Sequence, residues 1–322
     1  MIDRADYSAE AVGADFDEMR IVPDAMAGKR LDQALAALFP DLSRNRLQAW
    51  IRDGRVLMDG RTVAPRQKVL GGECVTVDCA PDPEQVAFAP EPIALPIVFE
   101  DDTLIVIDKP AGLVVHPAAG NWSGTLLNGL LHHDPALAAV PRAGIVHRLD
   151  KETTGLMVVA RTLTAQTHLV RQLQARSVSR EYLALVHGVV AGEGRVDAPI
   201  GRHPTQRLKM AVVPSGREAV TRYAVERAFQ ACTLLRCRLE TGRTHQIRVH
   251  MAHLGHPMVG DPVYGRKRCA DDVLQAFPRQ ALHAQRLGLV HPLSGESMSW
   301  QAPLPVDFAG LLAAIEAEGA HG

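Results

Sequence analysis

In RLDQALAALF, Leu31, Leu35 and Leu38 recur at helical spacing, Phe39 widens the apolar face, and Pro40 limits the helix. Ser43 is suited to N-cap a second helix over RNRLQAWI, with Leu47, Trp50 and Ile51 inward and Arg44, Arg46 and Arg52 outward. The pattern then changes to short apolar alternations. GRVLMDGRTV carries Asp59-Gly60, a hairpin-turn pair, and ECVTVD fits a short strand. Both patterns lapse in PDPEQVAFAPEPIALP, Pro81 to Pro96, whose prolines suppress helices and mark a linker.

Beyond it, Leu104 to Ile107 and Leu113 to Val115 read as strands around an Asp108-Lys109-Pro110 turn, and Thr125 to Leu131 as a helix. Further strands are predicted at Leu156 to Ala160, Tyr182 to Val186, Ala219 to Val225 and Thr233 to Leu239. Helices are predicted at Ala165 to Gln174 and Thr244 to Gly255. RQALHAQRLGLVHP reads as a helix running into a strand, GESMSWQAPLP as a terminal strand, and VDFAGLLAAIEA as a final helix. Strands predominate without one-to-one alternation with helices. That predicts an α+β fold for the larger unit. A small α/β unit precedes it.

The length of 322 residues fits two domains. The expected boundaries are a mobile acidic tail over 1–20, a small domain over 21–80, the linker over 81–96 and a catalytic domain over 97–322. No apolar run is long enough to span a bilayer, and MIDRADYSAE lacks the basic start and apolar run of a signal peptide. Five cysteines without a CxxC pair fit a reducing cytoplasm, with Cys232 and Cys237 expected in a strand core. A cytoplasmic monomer with no membrane partner is the expectation.

The formal charge of -1 hides an uneven distribution. Residues 1–28 carry a net of -5, residues 29–68 a net of +5, and residues 142–250 a net of +10. Asp78 to Asp102 holds seven acids and no Lys or Arg. Two basic stretches parted by an acidic one suit a polyanion, although solvated helix faces explain either stretch alone. KRLDQALAALFPDLSRNRLQAWIRDGRVLMDGR with VLGGECVTV resembles the small RNA-binding domain first described in a small-subunit ribosomal protein. The resemblance makes RNA the expected partner, with Arg44 and Arg46 among its contacts.

HRLDKETTG, His147 to Gly155, places an acid and basic groups at the mouth of a predicted apolar strand. Asp150 is the candidate nucleophile or acid-base group, because a short carboxylate can approach a bound sugar with little conformational freedom. A surface turn with an ordinary Asp150–Arg148 ion pair is the bland alternative. Arg243 and Arg248 in GRTHQIRVH are both candidate partners for Asp150. Tyr182 offers a ring to stack on an extruded base, or a core tyrosine. His245, His250, His253 and His256 are dense, but there is no HExxH and no nearby cysteine, so no metal is expected. Neither GxGxxG nor GxxxxGK[ST] occurs, and no cofactor is expected.

HRLDKETTGLMVVA, SREYLALVHG and LETGRTHQIRVHMAHLGHPMVGDPVYG resemble, in order, the motifs of the uridine-to-pseudouridine synthases of the ribosomal large-subunit group. DKPAGLVVHP and FPRQALHAQRLGLVHPLSGESMSW extend the match across Leu104 to Pro305, and the resemblance implies a catalytic domain on a mixed, mostly antiparallel sheet with a central cleft. The resemblance implies Asp150 as the catalytic carboxylate, Tyr182 as the base-stacking residue and Arg248 as the cation paired with Asp150. It implies Arg148 as the group that fills the RNA stack the uridine leaves, Ile247 as an apolar wall beside the base, and a shaping role for His147. GRHPTQRLKMAVVPSGREAVTRYAV resembles the type that modifies several nearby uridines in a helix-loop. Large-subunit ribosomal RNA, or the assembling large subunit, is then the expected partner. The rival readings are a noncatalytic RNA-binding ribosome-assembly protein and a metal-dependent hydrolase.

Overall fold

The computed structural model describes residues 17–40, 42–78, 87–118, 120–206, 209–266 and 268–319. The chain divides into two compact units at Asp82/Pro83. In the first, strand β1 (Asp17–Ile21) precedes helices α1 (Leu31–Leu38) and α2 (Arg44–Arg52), then β2 (Val56–Met58), β3 (Arg61–Thr62) and β4 (Cys74–Asp78). The sheet order is β1-β4-β2-β3, with every pairing antiparallel. The Ser43 hydroxyl accepts from the Arg46 N–H, as an N-cap does, and Asp59 and Gly60 both take positive φ in the β2–β3 turn. Leu31, Leu35, Leu47, Trp50 and Ile51 pack with Val56, Val75 and Val77 into one core.

β1 crosses the boundary expected at residue 20. Residues 17–20 pair with 75–78 along β4, which offers them an otherwise open sheet edge. The rest of the expected tail and residues 81–86 of the linker lie outside the described residues. The linker's second half is anchored: Asn128 Nδ2 donates to the carbonyls of Ala87 and Ala89, and Glu91 N–H donates to the Asn128 carbonyl.

The second unit opens with β5 (Ile97–Glu100), β6 (Leu104–Lys109) and α3 (Leu126–His133), followed by 3-10 turns at Pro135–Ala139 and Pro141–Gly144. Next come β7 (Thr154–Ala160), α4 (Leu163–Gln174), β8 (Ser179–His187), β9 (Gly194–Asp197), β10 (Ile200–Arg202) and β11 (Met210–Val212). The unit closes with β12 (Val220–Ala228), β13 (Cys232–Leu239), α5 (Gln246–His253), α6 (Asp272–Ala276), β14 (Leu282–Val290), β15 (Ser297–Gln301) and α7 (Val306–Gly319). One large sheet runs β5-β6-β7-β14-β8-β13-β12-β9, with β15 on β14, and β10 pairs with β11 separately. β7 and β14 are parallel and the remaining pairings are antiparallel, so the sheet is mixed and mostly antiparallel, as the family resemblance implied.

Two expectations fail locally. RQAL forms no helix; Leu282 is already in β14, because its backbone is drawn into the ladder with Ala184 of β8. Leu113 to Val115 makes only a single bridge, Val114 to Thr125, as the chain turns toward α3.

Period-two alternation builds the two faces of the sheet. Ile105, Ile107, Met157, Val159, Tyr182, Ala184 and Val186 join α3 on one side. Leu104, Val106, Leu156 and Val158 pack with Ala165 and Leu169 of α4 on the other, while Leu183 and Leu185 meet α7. Cys232 and Cys237 are buried in β13, where burial pushes both thiols up to about 12. Their predicted place in a strand core is the observed one.

Candidate active site

β7 and β14 touch only through Thr154–His283 and Gly155–Ala284, then diverge. Gly155 takes φ +111° there, and a Cβ on it would stand 2.3 Å from the Ala284 carbonyl oxygen, so the close crossing requires glycine. The residues before β7 cover its diverging edge. Ile145 bridges to Val159, and His147 Nε2 accepts the Val158 N–H at 3.1 Å. Burial, aided by the charge of Arg180, pushes His147 down to about 3, so its imidazole is a neutral acceptor that shapes the segment.

Asp150 closes this segment at the floor of a cleft of about 930 Å³. Its carbonyl accepts the Thr153 N–H, and Lys109, which is fully buried, holds the next residue. Lys109 Nζ donates to the carbonyls of Lys151 (2.9 Å), Leu113 (3.0 Å) and Pro110 (2.7 Å). Burial pushes Lys109 down to about 8, against the pull of Glu152 and Asp150. The Lys109 clamp is absent from the sequence reading, which placed that residue in a turn. A lysine at the end of an apolar β6 was its only local signal.

The choice between Arg243 and Arg248 is settled by geometry. Arg248 Nη1 donates to Asp150 Oδ2 at 2.9 Å, while Arg243 Nε donates to the Glu218 carbonyl. Arg248 also grips Asp261 with both arms of its fork, Nε to Oδ2 at 2.7 Å and Nη2 to Oδ1 at 2.9 Å. Burial opposes the guanidinium's charge, and the Asp261 and Asp150 carboxylates overcome it, so Arg248 holds its proton more firmly than usual. Asp261 is buried too. The Arg248 bonds, with N–H donors from Tyr264 and Val263, outweigh that burial and hold its carboxyl below the usual range.

Helix α5 presents Ile247 and Arg248 because its first turn is fastened to β12. Gln246 is buried, donating to the Val220 carbonyl and Thr221 Oγ1 and accepting from Thr241 Oγ1 and the Arg243 N–H. His245, at φ +56°, starts the helix; its Nδ1 lies 2.9 Å from the Tyr264 hydroxyl, and its Nε2 is 3.8 Å from Asp150 Oδ1. Asp150 Oδ1 thus lies outside the Arg248 bond, on a residue that lines the cleft.

Tyr182, on β8, is 5% exposed, and Ile247 is 3% exposed. Burial raises the Tyr182 hydroxyl above its ordinary value, Arg180 pulling against it and Asp150 with it, so the ring is a neutral phenol. Arg148 lies exposed at the cleft, and both Ile247 and Tyr182 line it. The structure therefore brings Asp150, Tyr182, Arg248, Arg148 and Ile247 together. Asp261, Gln246 and Lys109, which hold three of these in place, are additions from the tertiary structure.

The histidine-rich stretch serves the fold. His250 lies between Thr221 Oγ1 and the Ala198 carbonyl, and His256 contacts the His187 carbonyl. In the first unit, Arg44 is less free than expected. It shares buried Asp32 with Arg30 and Gln48, and although burial opposes ionisation, those bonds bring Asp32 down to about 2. The Arg46 guanidinium lies 5.0 Å from the Trp50 ring centroid.

The family pattern described as RNA pseudouridylate synthase matches residues 103–253, the span from β6 through the end of α5. A protein of Nitrosomonas europaea called ribosomal large subunit pseudouridine synthase D is 56% identical over 97% of this chain and 94% of its own length. The chain belongs to the RNA pseudouridylate synthase family. A like-named protein of Xanthomonas campestris pv. campestris is 54% identical over 98% of both chains. The solved structure of human RNA pseudouridylate synthase domain containing 1 is 28% identical, covers 67% of this chain and 86% of its own, and superposes with a TM-score of 0.53. Residues 29–75 match the S4 domain, the RNA-binding type to which the first unit belongs. This pseudouridine synthase thus joins an S4 domain to a mixed-sheet synthase domain. Among its described residues, no helix is long and apolar enough to cross a membrane.

Proposed function

We propose that this synthase converts uridines of large-subunit ribosomal RNA to pseudouridine, with Asp150 as the catalytic carboxylate. The carrying observation is the chain Asp261–Arg248–Asp150, which leaves one oxygen of the cleft-lining Asp150 carboxylate outside the Arg248 bond, in a cleft lined also by Tyr182 and Ile247. The relatives' name supports the ribosomal substrate, and the S4 domain supports RNA as its class.

The reaction breaks the bond from ribose C1′ to uracil N1, turns the retained base and joins C1′ to C5. One proton leaves C5 and one is restored at N1, so no hydride, metal or nucleotide energy enters the balance. Asp150 Oδ1 is positioned to attack or stabilise an electron-poor C1′, or to remove the C2′ proton. Arg248 fixes the carboxylate's direction, and Asp261 fixes Arg248 in turn. Tyr182 stacks on the base with its ring, Ile247 forms the apolar wall, and Arg148 fills the gap that the extruded uridine leaves. Extrusion costs a few kcal/mol, repaid by these contacts and by phosphate contacts of the basic surfaces. The expected several neighbouring targets, the cytoplasmic location and the monomeric state belong to the same proposal.

Purified protein should form pseudouridine in unmodified large-subunit RNA without added cofactor. Asp150→Asn should bind that RNA within a few-fold of the parent and form none. Equal conversion by both proteins would remove Asp150 from catalysis. Undiminished binding with no product from the parent on any native RNA would favour a noncatalytic assembly protein.

A further inference from the structure

Arg180 differs from the other deeply buried arginines of the synthase domain. Arg248 is paired with Asp261 and Asp150, and Arg279 with Asp307. Arg180 is 8% exposed, yet its buried Nε has no hydrogen-bond partner, and no carboxylate among the described residues forms an ion pair with it. A buried guanidinium left without a counter-charge is costly, and Arg180 lines the cleft, so the site calls for an anion.

Its placement is built. Arg180 stands two residues before Tyr182 on β8, where strand alternation sends both side chains to one side, and both line the cleft. Gly242 backs it: a Cβ there would stand 2.8 Å from Arg180 Nη1, so glycine leaves room for the guanidinium beneath the turn that leads to Arg248. The positive charge of Arg180 is felt at both Tyr182 and His147, which locates it beside the base wall.

We propose that Arg180 is the phosphate anchor of the cleft, donating to a non-bridging oxygen of a phosphodiester adjoining the extruded uridine. The inference rests on the RNA reading above. Uracil carbonyls are neutral acceptors, whereas each linkage beside the nucleotide brings a full negative charge, the complement of a cation without a protein counter-charge. Asp150 is not its partner, since the ion pairs of that carboxylate are with Arg248 and His245. Holding the backbone here fixes the sugar over Asp150 while Tyr182 and Ile247 receive the base.

The test pairs protein variants with neutralised linkages in one RNA fragment containing a uridine that the parent converts. Three versions are made: all-phosphate, and a single methylphosphonate on either the 5′ or the 3′ side of the target. Parent conversion of the all-phosphate RNA tests the RNA reading by itself. Arg180→Gln should lower kcat/KM on that RNA by about 10–100-fold, the scale of one charge-assisted hydrogen bond, and Arg180→Lys by less. Neutralising one of the two linkages should impose a similar loss on the parent and almost none further on Arg180→Gln. Losses that multiply at both linkages, or a parent indifferent to both methylphosphonates, would overturn the assignment. A parent indifferent to both neutral linkages overturns the assignment even if the variants fold poorly.

Discussion

The role proposed for Asp150 depends on neighbours that are distant in sequence. The carboxylate meets Arg248 across 98 residues, and Arg248 is itself held by Asp261. Asp261→Asn should therefore reduce kcat at least tenfold with a smaller change in KM, and lower the melting temperature, because breaking a buried pair costs about 3–5 kcal/mol. A full kcat in D261N would show that Arg248 needs no second carboxylate. His147 supplies a pH signature. Its folded value of about 3 lies below the ordinary 6.5, so the unfolded chain binds the extra proton. The stability it contributes is complete above about pH 6.5 and falls as pH drops toward 3, at no more than about 1.4 kcal/mol per pH unit. His147→Gln keeps an acceptor for the Val158 N–H but cannot take the proton. Its melting temperature should fall less than the parent's between pH 6 and pH 4; parallel curves would count against the buried neutral imidazole. His116 and His283, both pushed down to about 4 chiefly by burial, account for part of the acid sensitivity that remains.

The decisive arrangement of elements is the fork between β7 and β14, because the segment carrying Asp150 covers the edge that the fork exposes. Gly155 permits the strands to cross at its root. Gly155→Ala would add a Cβ within 2.3 Å of the Ala284 oxygen at a φ unfavourable to alanine. We expect a loss of at least about 3 kcal/mol in urea unfolding, or insoluble protein, a cost in the upper range for single changes. A soluble variant with parental stability would mean that the strands can separate freely there. Short apolar, β-favouring runs, such as those of β8 and β13, were legible in the chain, as were α4 and α7. β14 was only half legible. Its first residues are helix-compatible in isolation, and pairing with β8 decides their conformation. The same holds for α5, whose start depends on the Gln246 bonds to β12 and lies two residues beyond the expected Thr244.

For the whole molecule, the proposed function gives RNA binding to the S4 domain, with its excess of basic residues, and chemistry to the cleft of the synthase domain. Arg46→Gln with Arg52→Gln should weaken RNA binding and flatten its dependence on log salt by about one to two units, leaving single-turnover conversion at saturating protein near the parent's. Unchanged salt dependence would exclude these two arginines from phosphate contact. Arg44 is a poorer probe than expected, because its removal also loosens the buried Asp32 network. The sequence by itself determined the two-part organisation, most strands and helices, and the family with its candidate carboxylate, because periodicity, turn chemistry and ordered motifs are local properties. The ordered motifs also pointed to Arg248 as the partner of Asp150, but only the tertiary structure decided how that pair is held, which lysine and glutamine hold the loops, and which buried guanidinium lacks a counter-charge. Those are facts of distance and burial, and they arise when strands far apart in the chain are brought side by side.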